Sequence, residues 1–241
     1  MKYLTIDTTT KVTAVALAED GKLIGEGFLH TTKTHSERII PMLEQLITAA
    51  AWTLQELDMI GVVCGPGSFT GIRIGIATAQ GLAQVLNIPL ISVVSLDALA
   101  WAGKERMEDV VPILDARKNE WYTARYHWMP GMEKPECLTM PQAMSTGQWL
   151  EYLWGLDRSI CFVGDAAVKA KKRIEEVLGE RAVILPEYIS LPRGAYAVRA
   201  VWQKWQETGR GEQVEPYYIR FSEAEVNWAK KEKARRSSGN E

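Results

Sequence analysis

Apolar and polar positions alternate in a way that sorts the chain into elements. Tyr3 to Ile6 is a short apolar run that ends in Asp7-Thr8-Thr9-Thr10. Val12 to Ala18 is a second run, and Glu19-Asp20-Gly21 is a turn before a third strand, Lys22 to Leu29. Three runs joined by tight turns predict an antiparallel meander. Ile39, Ile40, Leu43, Leu46, Ile47 and Ala50 then recur at helical spacing, with Thr34 or Ser36 placed to cap the helix. Met59 to Cys64 is continuously apolar, the pattern of a strand buried on both faces. The glycine-rich turn Gly65 to Gly71 leads into a helix reaching about Leu86. Leu90 to Val94 reads as a strand, and Ser95 as the cap of a short helix through Trp101.

The same order then restarts. Val110 to Leu114, Glu120 to Trp128 and Glu136 to Met140 read as strands, and helical spacing returns from Gln142 to Leu153. Ile160 to Val163 is a strand, followed by Gly164-Asp165 and a helix to about Leu178. Val183 to Leu185 is a strand, and Gly194 to Trp205 a helix. Two units of three strands followed by alternating helices and strands predict duplicated α/β lobes. The duplication rests on element order alone, because the residues themselves show no repeat. The charged stretch Lys104 to Asp109 marks the junction, giving a first lobe over 1–104 and a second over 105–228. The helix from Gly194 is a candidate to pack back on the first lobe.

Composition narrows the classes. The 241 residues are 46% hydrophobic and 24% charged, enough to bury a sizeable core. With a net charge of −2, the chain is not a basic nucleic-acid binder overall. The charge is uneven: residues 229–241 carry five cations against two carboxylates, a net of +3, which leaves the rest at −5. That end has no apolar periodicity and reads as a disordered basic tail. Cys64, Cys137 and Cys161 are sparse and form no CxxC pair, which points to a reducing compartment. The first residues carry a charge inside their short apolar run, and no apolar stretch approaches a membrane span of ~20 residues. A cytoplasmic protein is expected.

The glycine turn is the sharpest chemical signal. A turn of this kind between a buried strand and a helix can aim backbone N–H groups at an anion. Gly65, Gly67 and Gly71 would allow close approach, and Ser68 and Thr70 add hydroxyls. The turn is neither a Walker A loop, since Ile72 follows Gly71, nor GxGxxG, since Thr70 stands at the third glycine. A plain strand–helix turn is the competing reading. Gly71, Gly75, Ala79 and Ala83 form a stripe of small residues flanked by Ile72, Ile74, Ile76 and Leu82. That stripe suits either packing inside the lobe or a subunit interface shared with the Ser36–Ala50 helix. Asp7 and Asp115 each end the first strand of a lobe. Either could hold hydrated Mg²⁺ or close an Asx turn, and the turn is preferred for Asp115. His30, His35 and His127 form no HxxxH or HExxH pair, so no metal site is expected. No GxSxG elbow is present either.

These blocks in order carry a resemblance. Ile6-Asp7-Thr8, Thr34-His35-Ser36-Glu37-Arg38, the run Gly65 to Gly75, Asp115-Ala116-Arg117 and Pro216-Tyr217-Tyr218-Ile219-Arg220 resemble the bacterial TsaB family, also called YeaZ. The similarity runs to about Glu225, and the block Gly65 to Arg73 is its most specific part. It implies the two-lobed actin-like ATPase fold (ASKHA, RNase H-like), with duplicated βββαβα lobes. It also implies work on threonylcarbamoyladenosine beside the anticodon of tRNA. There a TsaD relative carries the transfer from threonylcarbamoyl-AMP, TsaE is the ATPase, and TsaB is a non-catalytic partner. TsaD's metal-binding HxxxH is missing here. The resemblance further implies a homodimer when alone, contact with tRNA through the complex, and no membrane. It turns the stripe toward the interface reading, with His35, Ile39, Leu43, Leu46, Ile72, Gly75, Ile76, Ala79 and Ala83 as contact residues. Asp7, Gly65, Gly67, Ser68, Thr70 and Gly71 become a degenerate phosphate loop. Thr9 stands where sugar kinases of this fold keep a glycine, so the lone chain is expected to hold no cofactor. Weak ATP or ADP with Mg is left to the joint with TsaD. The alternatives are an independent small-molecule kinase of the same fold, with Asp7 on Mg-ATP, and direct tRNA binding by the basic tail.

Overall fold

A computed structural model describes residues 1–31 and 34–220. The first lobe opens with β1 (Lys2–Asp7), β2 (Val12–Glu19) and β3 (Lys22–His30). It continues through α1 (Ile39–Ala49), β4 (Met59–Val63), α2 (Phe69–Leu86), β5 (Leu90–Val93) and α3 (Ser95–Ala100). The second lobe has β6 (Asp109–Asp115), β7 (Glu120–His127) and β8 (Glu136–Ser145), then α4 (Thr146–Trp154) and β9 (Ile160–Val163). It ends with α5 (Asp165–Lys169), α6 (Lys171–Leu178), β10 (Ala182–Ile184), α7 (Glu187–Ser190) and α8 (Gly194–Thr208).

The two sheets have strand orders β3-β2-β1-β4-β5 and β8-β7-β6-β9-β10. In each, the first strand of its lobe is central, pairing antiparallel with the second and parallel with the fourth. The duplication read from element order is therefore repeated strand for strand in the pairing. Central strands explain the continuous apolar runs. From Tyr3 onward β1 is buried on both faces, and β4 is buried throughout. The edge strand β3 keeps exposed residues instead.

Helices cover both faces of the first sheet. On one side α1 and α2 bury Leu43, Ile47, Ile72 and Ile76 against Leu4, Ile6, Val15 and Ile60. On the other side α3 and α8 pack with Tyr3, Met59 and Val63, in a cluster that continues into Val110, Leu114 and Tyr126 of the second lobe. α8 thus lies across the first sheet, and the Tyr3 hydroxyl donates to the Val198 carbonyl at 3.1 Å.

Several elements differ from the sequence pattern. Gln142 to Ser145 extend β8 and do not begin a helix, because each of the four pairs with β7, from Thr123↔Gln142 to Glu120↔Ser145. Ser145 then caps α4, its Oγ accepting from the Gln148 N–H. The helix expected from Asp165 to Leu178 breaks at Ala170 into α5 and α6. Ser95 is the first residue of α3, and Val94 is its cap; the Ser95 hydroxyl instead donates to the Pro66 carbonyl at 2.6 Å. His35 to Glu37 form a separate 3₁₀ turn, so α1 starts only at Ile39. The expected disordered tail over 229–241 lies outside the described residues. Among the described residues no helix is long and apolar enough to cross a membrane.

Candidate functional site

Parallel pairing of β1 with β4 brings Asp7 and the Gly65 turn to one edge of the first sheet. Asp7 is buried, and its Oδ1 accepts from the Thr9 amide at 2.9 Å and the Thr9 hydroxyl at 2.7 Å. This is an Asx turn. Burial pushes the Asp7 carboxyl above the usual range, and the two Thr9 hydrogen bonds pull it back in part. A raised acid opposes folding once it must ionise. Its cost is absent below the unfolded-chain value and grows as pH rises toward the folded value. Asp7→Asn keeps both acceptor contacts and removes that cost. It is expected to flatten the pH dependence of urea unfolding and to be at least as stable as the parent at neutral pH.

The glycine turn wraps around this Asx turn. The Thr8 hydroxyl donates to the Gly71 carbonyl at 2.7 Å, and the Ser68 N–H donates to the Thr9 carbonyl at 2.6 Å. A Cβ on Gly67 would stand 2.1 Å from the Thr9 oxygen, and one on Gly71 would stand 2.0 Å from the Thr8 oxygen. The close approach that these glycines permit is thus taken up by the chain's own backbone. Ser68 caps α2, its Oγ accepting from the Gly71 N–H at 3.3 Å. Thr70 is exposed at the start of the helix. His35 closes a third side, with Nδ1 2.7 Å from the Thr13 hydroxyl, and burial pushes its imidazole pKa down.

The small-residue stripe faces inward. Ile72, Ile76, Ala79 and Ala83 are 0–7% exposed and sit in the core beneath α2. A Cβ on Gly75 would stand 2.4 Å from the Thr8 hydroxyl oxygen. Ile39 and Leu43 are buried under α1, and Leu46 is half-buried beside Gly25 and Gly27. While His35 is half-buried beside Thr13, most of the residues expected at a contact surface serve the lobe's own packing within the lone chain. Their apolar volume is used within the lobe, and the stripe lets α2 lie close over β1 and β4. The outer side of the two helices carries other residues. Ile40 and Val85 are 43% and 84% exposed, and Leu82 and Leu86 are half-buried.

Two clusters were not legible as such. The Pro216–Arg220 block lies over the start of α2. Tyr218 stacks on Phe69 with ring centroids 4.7 Å apart, and its hydroxyl accepts from Arg73 Nε at 2.7 Å. In the second lobe Asp109, within the stretch read as a charged junction, has a fully buried side chain. It accepts from Arg125 at 3.1 Å and Arg158 at 3.0 Å, and lies 2.9 Å from His127 Nδ1. Three basic side chains gathered from two separate strand and loop positions around one carboxylate leave no local signal. Asp115 is exposed and accepts from the Arg117 N–H at 2.8 Å, closing an Asx turn.

A family model described as TsaD, tRNA N6-adenosine threonylcarbamoyltransferase, matches residues 29–228. The Bacillus subtilis tRNA threonylcarbamoyladenosine biosynthesis protein TsaB is 34% identical over 233 residues, spanning 97% of this chain and all of the relative. The chain belongs to the TsaB family. The Escherichia coli TsaB is 34% identical over 162 residues, covering 62% of this chain and 70% of that protein. The solved YeaZ from Pseudomonas aeruginosa superposes with a TM-score of 0.73 at 26% identity, covering 90% of this chain and 99% of that one. A dehydratase activator from Clostridium difficile, at 9% identity, shares only the fold, with a TM-score of 0.50 over 89% of this chain and all of its own. The paired five-stranded sheets are the two lobes of the actin-like ATPase architecture. In this TsaB family member the block Gly65 to Gly75 is a packing signature, shaped to the Asp7–Thr9 turn.

Proposed function

We propose that this chain serves the synthesis of threonylcarbamoyladenosine in tRNA as a non-catalytic partner of a TsaD-type transferase, alongside a TsaE-type ATPase. Full-length similarity to TsaB carries the reading. The closed glycine turn supports its non-catalytic part. With Thr8 and Thr9 filling the approach at Gly67 and Gly71, these residues do not fit a phosphate group in the lone chain. Weak ATP or ADP with Mg, as far as this chain is concerned, belongs at the joint with the TsaD-type partner. The independent kinase reading is not carried forward. Family membership goes with tRNA modification, and Asp7 Oδ1 is already engaged by the Thr9 amide and hydroxyl. Contact with tRNA is made through the complex.

The outer side of α1 and α2 is the docking face, for the transferase or, in the lone chain, for a second copy. Exposed Ile40 and Val85 are its apolar anchors. A charge at such a position must be buried without a partner on docking. Val85→Asp with Ile40→Asp is therefore expected to weaken association with the organism's TsaD-type protein by about 100-fold, roughly 3 kcal/mol. Both side chains lie outside the core, so the variant stays folded. Co-purification and calorimetry of the mixture test this, and unchanged affinity in a folded double variant rejects the assigned face. A separate titration of the lone chain with ATP and Mg is expected to show no saturable binding at millimolar nucleotide.

A further inference from the structure

Besides α8 and the Leu191–Arg193 stretch, which lie on the first sheet, the two lobes meet at both ends of β7. At the His127 end of β7, the contacts run to α3. The Tyr126 hydroxyl donates to Asp97 at 2.5 Å, and Trp128 Nε1 donates to the Ala100 carbonyl at 3.0 Å. Trp101 and Trp128 pack edge to face there, with centroids 5.0 Å apart. Trp101, Trp128 and Tyr126 of this joint are buried in the apolar cluster shared by both lobes, with the part-buried Tyr126–Asp97 hydrogen bond beside them. At the Glu120 end, seven residues away, the second lobe meets the C-terminal part of the described chain.

That segment is fastened to the first lobe step by step. The Glu212 N–H donates to the Leu90 carbonyl at 3.0 Å. Gln80 Nε2 donates to the Val214 carbonyl at 2.9 Å, and the Tyr217 N–H donates to the Cys64 carbonyl at 2.8 Å. Tyr218 is held by Phe69 and Arg73. Two residues later the chain crosses over. Arg220 forms an ion pair with Glu120, and its Nη1 donates to the Ala116 carbonyl at 3.3 Å. Ile219 packs beside the cluster that holds Leu114, Ala116 and Tyr122.

We propose that residues 217–220 are a releasable clasp. Anchored on α2 and β4 of the first lobe, it reaches the β6–β7 hairpin through Arg220 and holds the lobes closed about the α3 joint. The chemistry at the two ends differs in kind. Most of the α3 joint is buried apolar contact, which salt does not screen. Arg220 and Glu120 keep about a third of their side chains in solvent, so salt screens their attraction. Beyond Ile219, the clasp grips through one polar side chain. Losing it leaves the second lobe held through the α3 joint, α8 and the Leu191–Arg193 contacts with β2 and β3, all away from the β6–β7 hairpin, so a small rotation about them moves the hairpin most.

Interlobe distance tests the clasp. Cys64 and Cys161 are buried, so a Cys137→Ser background leaves labelling to added cysteines at Lys22, exposed at the start of β3, and Lys172, exposed on α6. The labelled chain is diluted with excess unlabelled chain so that only distances within one copy are read. Double electron–electron resonance on the full chain is expected to give one narrow distance. Arg220→Ala, and the unaltered clasp in about 1 M salt where the Debye length is ~3 Å, are each expected to add a longer population. The exchanged pair Arg220→Glu with Glu120→Arg is expected to restore the narrow distance at low salt. Hydrogen exchange in residues 115–120 should quicken by about tenfold in Arg220→Ala while the strands around the α3 joint stay protected. Should Arg220→Ala fail to fold, the salt titration decides alone. A single unchanged distance at every salt concentration, with unchanged hairpin exchange, overturns the clasp.

Discussion

Gly71→Ala and Gly81→Ala place the same methyl group twice on α2 and are expected to move stability in opposite directions. At Gly81 a Cβ meets nothing within 4 Å, so the change only removes backbone freedom from the unfolded chain. A gain of about 0.5–1 kcal/mol follows. At Gly71 the methyl would lie 2.0 Å from the Thr8 carbonyl oxygen, and no rotamer change can relieve a backbone clash. The turn must open, breaking the Thr8–Gly71 and Thr9–Ser68 hydrogen bonds, each worth ~1 kcal/mol. With the overpacking strain itself, the loss is about 3 kcal/mol or more. At ~2–4 °C per kcal/mol for a chain of this size, the melting temperature falls by roughly 10 °C. Urea unfolding of both variants measures the contrast. Near-equal stability of the two would mean that the glycine block is not packed around the chain's own turn. The open cradle would then have to be reconsidered as an anion site.

The second large effect is at Asp109, far from that turn. Its carboxylate is wholly buried and meets Arg125, Arg158 and His127. Arg125 is only 15% exposed, so removing the carboxylate strands a cation where water cannot compensate. Asp109→Ala is expected to cost about 3–5 kcal/mol, as for other buried pairs broken from one side. Arg158 keeps 55% of its side chain in solvent, and Arg158→Ala is expected to cost no more than ~1 kcal/mol. Chemical denaturation of the two variants tests the asymmetry. Equal, small losses would show that water reaches the cluster and that Asp109 does not organise this end of the second sheet.

The two substitutions also separate stability from partnership. Gly71 and Asp109 act inside the lobes, whereas Ile40 and Val85 lie on the outside of α1 and α2. A large side chain at Gly75 would strike the Thr8 hydroxyl before it reached a partner. Loss of association in such a variant would therefore report unfolding and say nothing of an interface. Aspartates at Ile40 and Val85 leave the core alone, so their effect on binding can be read directly.

Strand existence was legible almost throughout, because central strands buried on both faces leave unbroken apolar runs such as Met59 to Val63. Gln142 to Ser145 failed for a reason of the same kind. Their apolar spacing also fits a helix, and the choice was made by β7, which offers an unpaired edge beside them. The break at Ala170 has no counterpart in spacing, since α5 and α6 each keep a helical pattern. In the candidate site, the signature from Gly65 to Gly75 was plain in sequence, but its use was not. A glycine that admits a phosphate and one that admits a neighbouring carbonyl look the same until the neighbour is placed. The stripe on α2 was ambiguous in the same way, since small residues permit close approach without saying from which side.

The sequence by itself determined the α/β class, the repeated order of three strands followed by alternating helices and strands, and the family, since each rests on local periodicity or on contiguous blocks of residues. The choice of an Asx turn at Asp7 came from the structure. The tertiary structure alone decided that Thr8 and Thr9 fill the glycine turn, that the small stripe faces its own sheet, that Asp109 gathers three basic groups, and that Arg220 reaches the second lobe. Each of these depends on groups up to a hundred or so residues apart, such as Arg220 and Ala116. Chain order holds no record of such distances. They are fixed only when the sheets close and burial leaves each polar group with the partners that remain within reach.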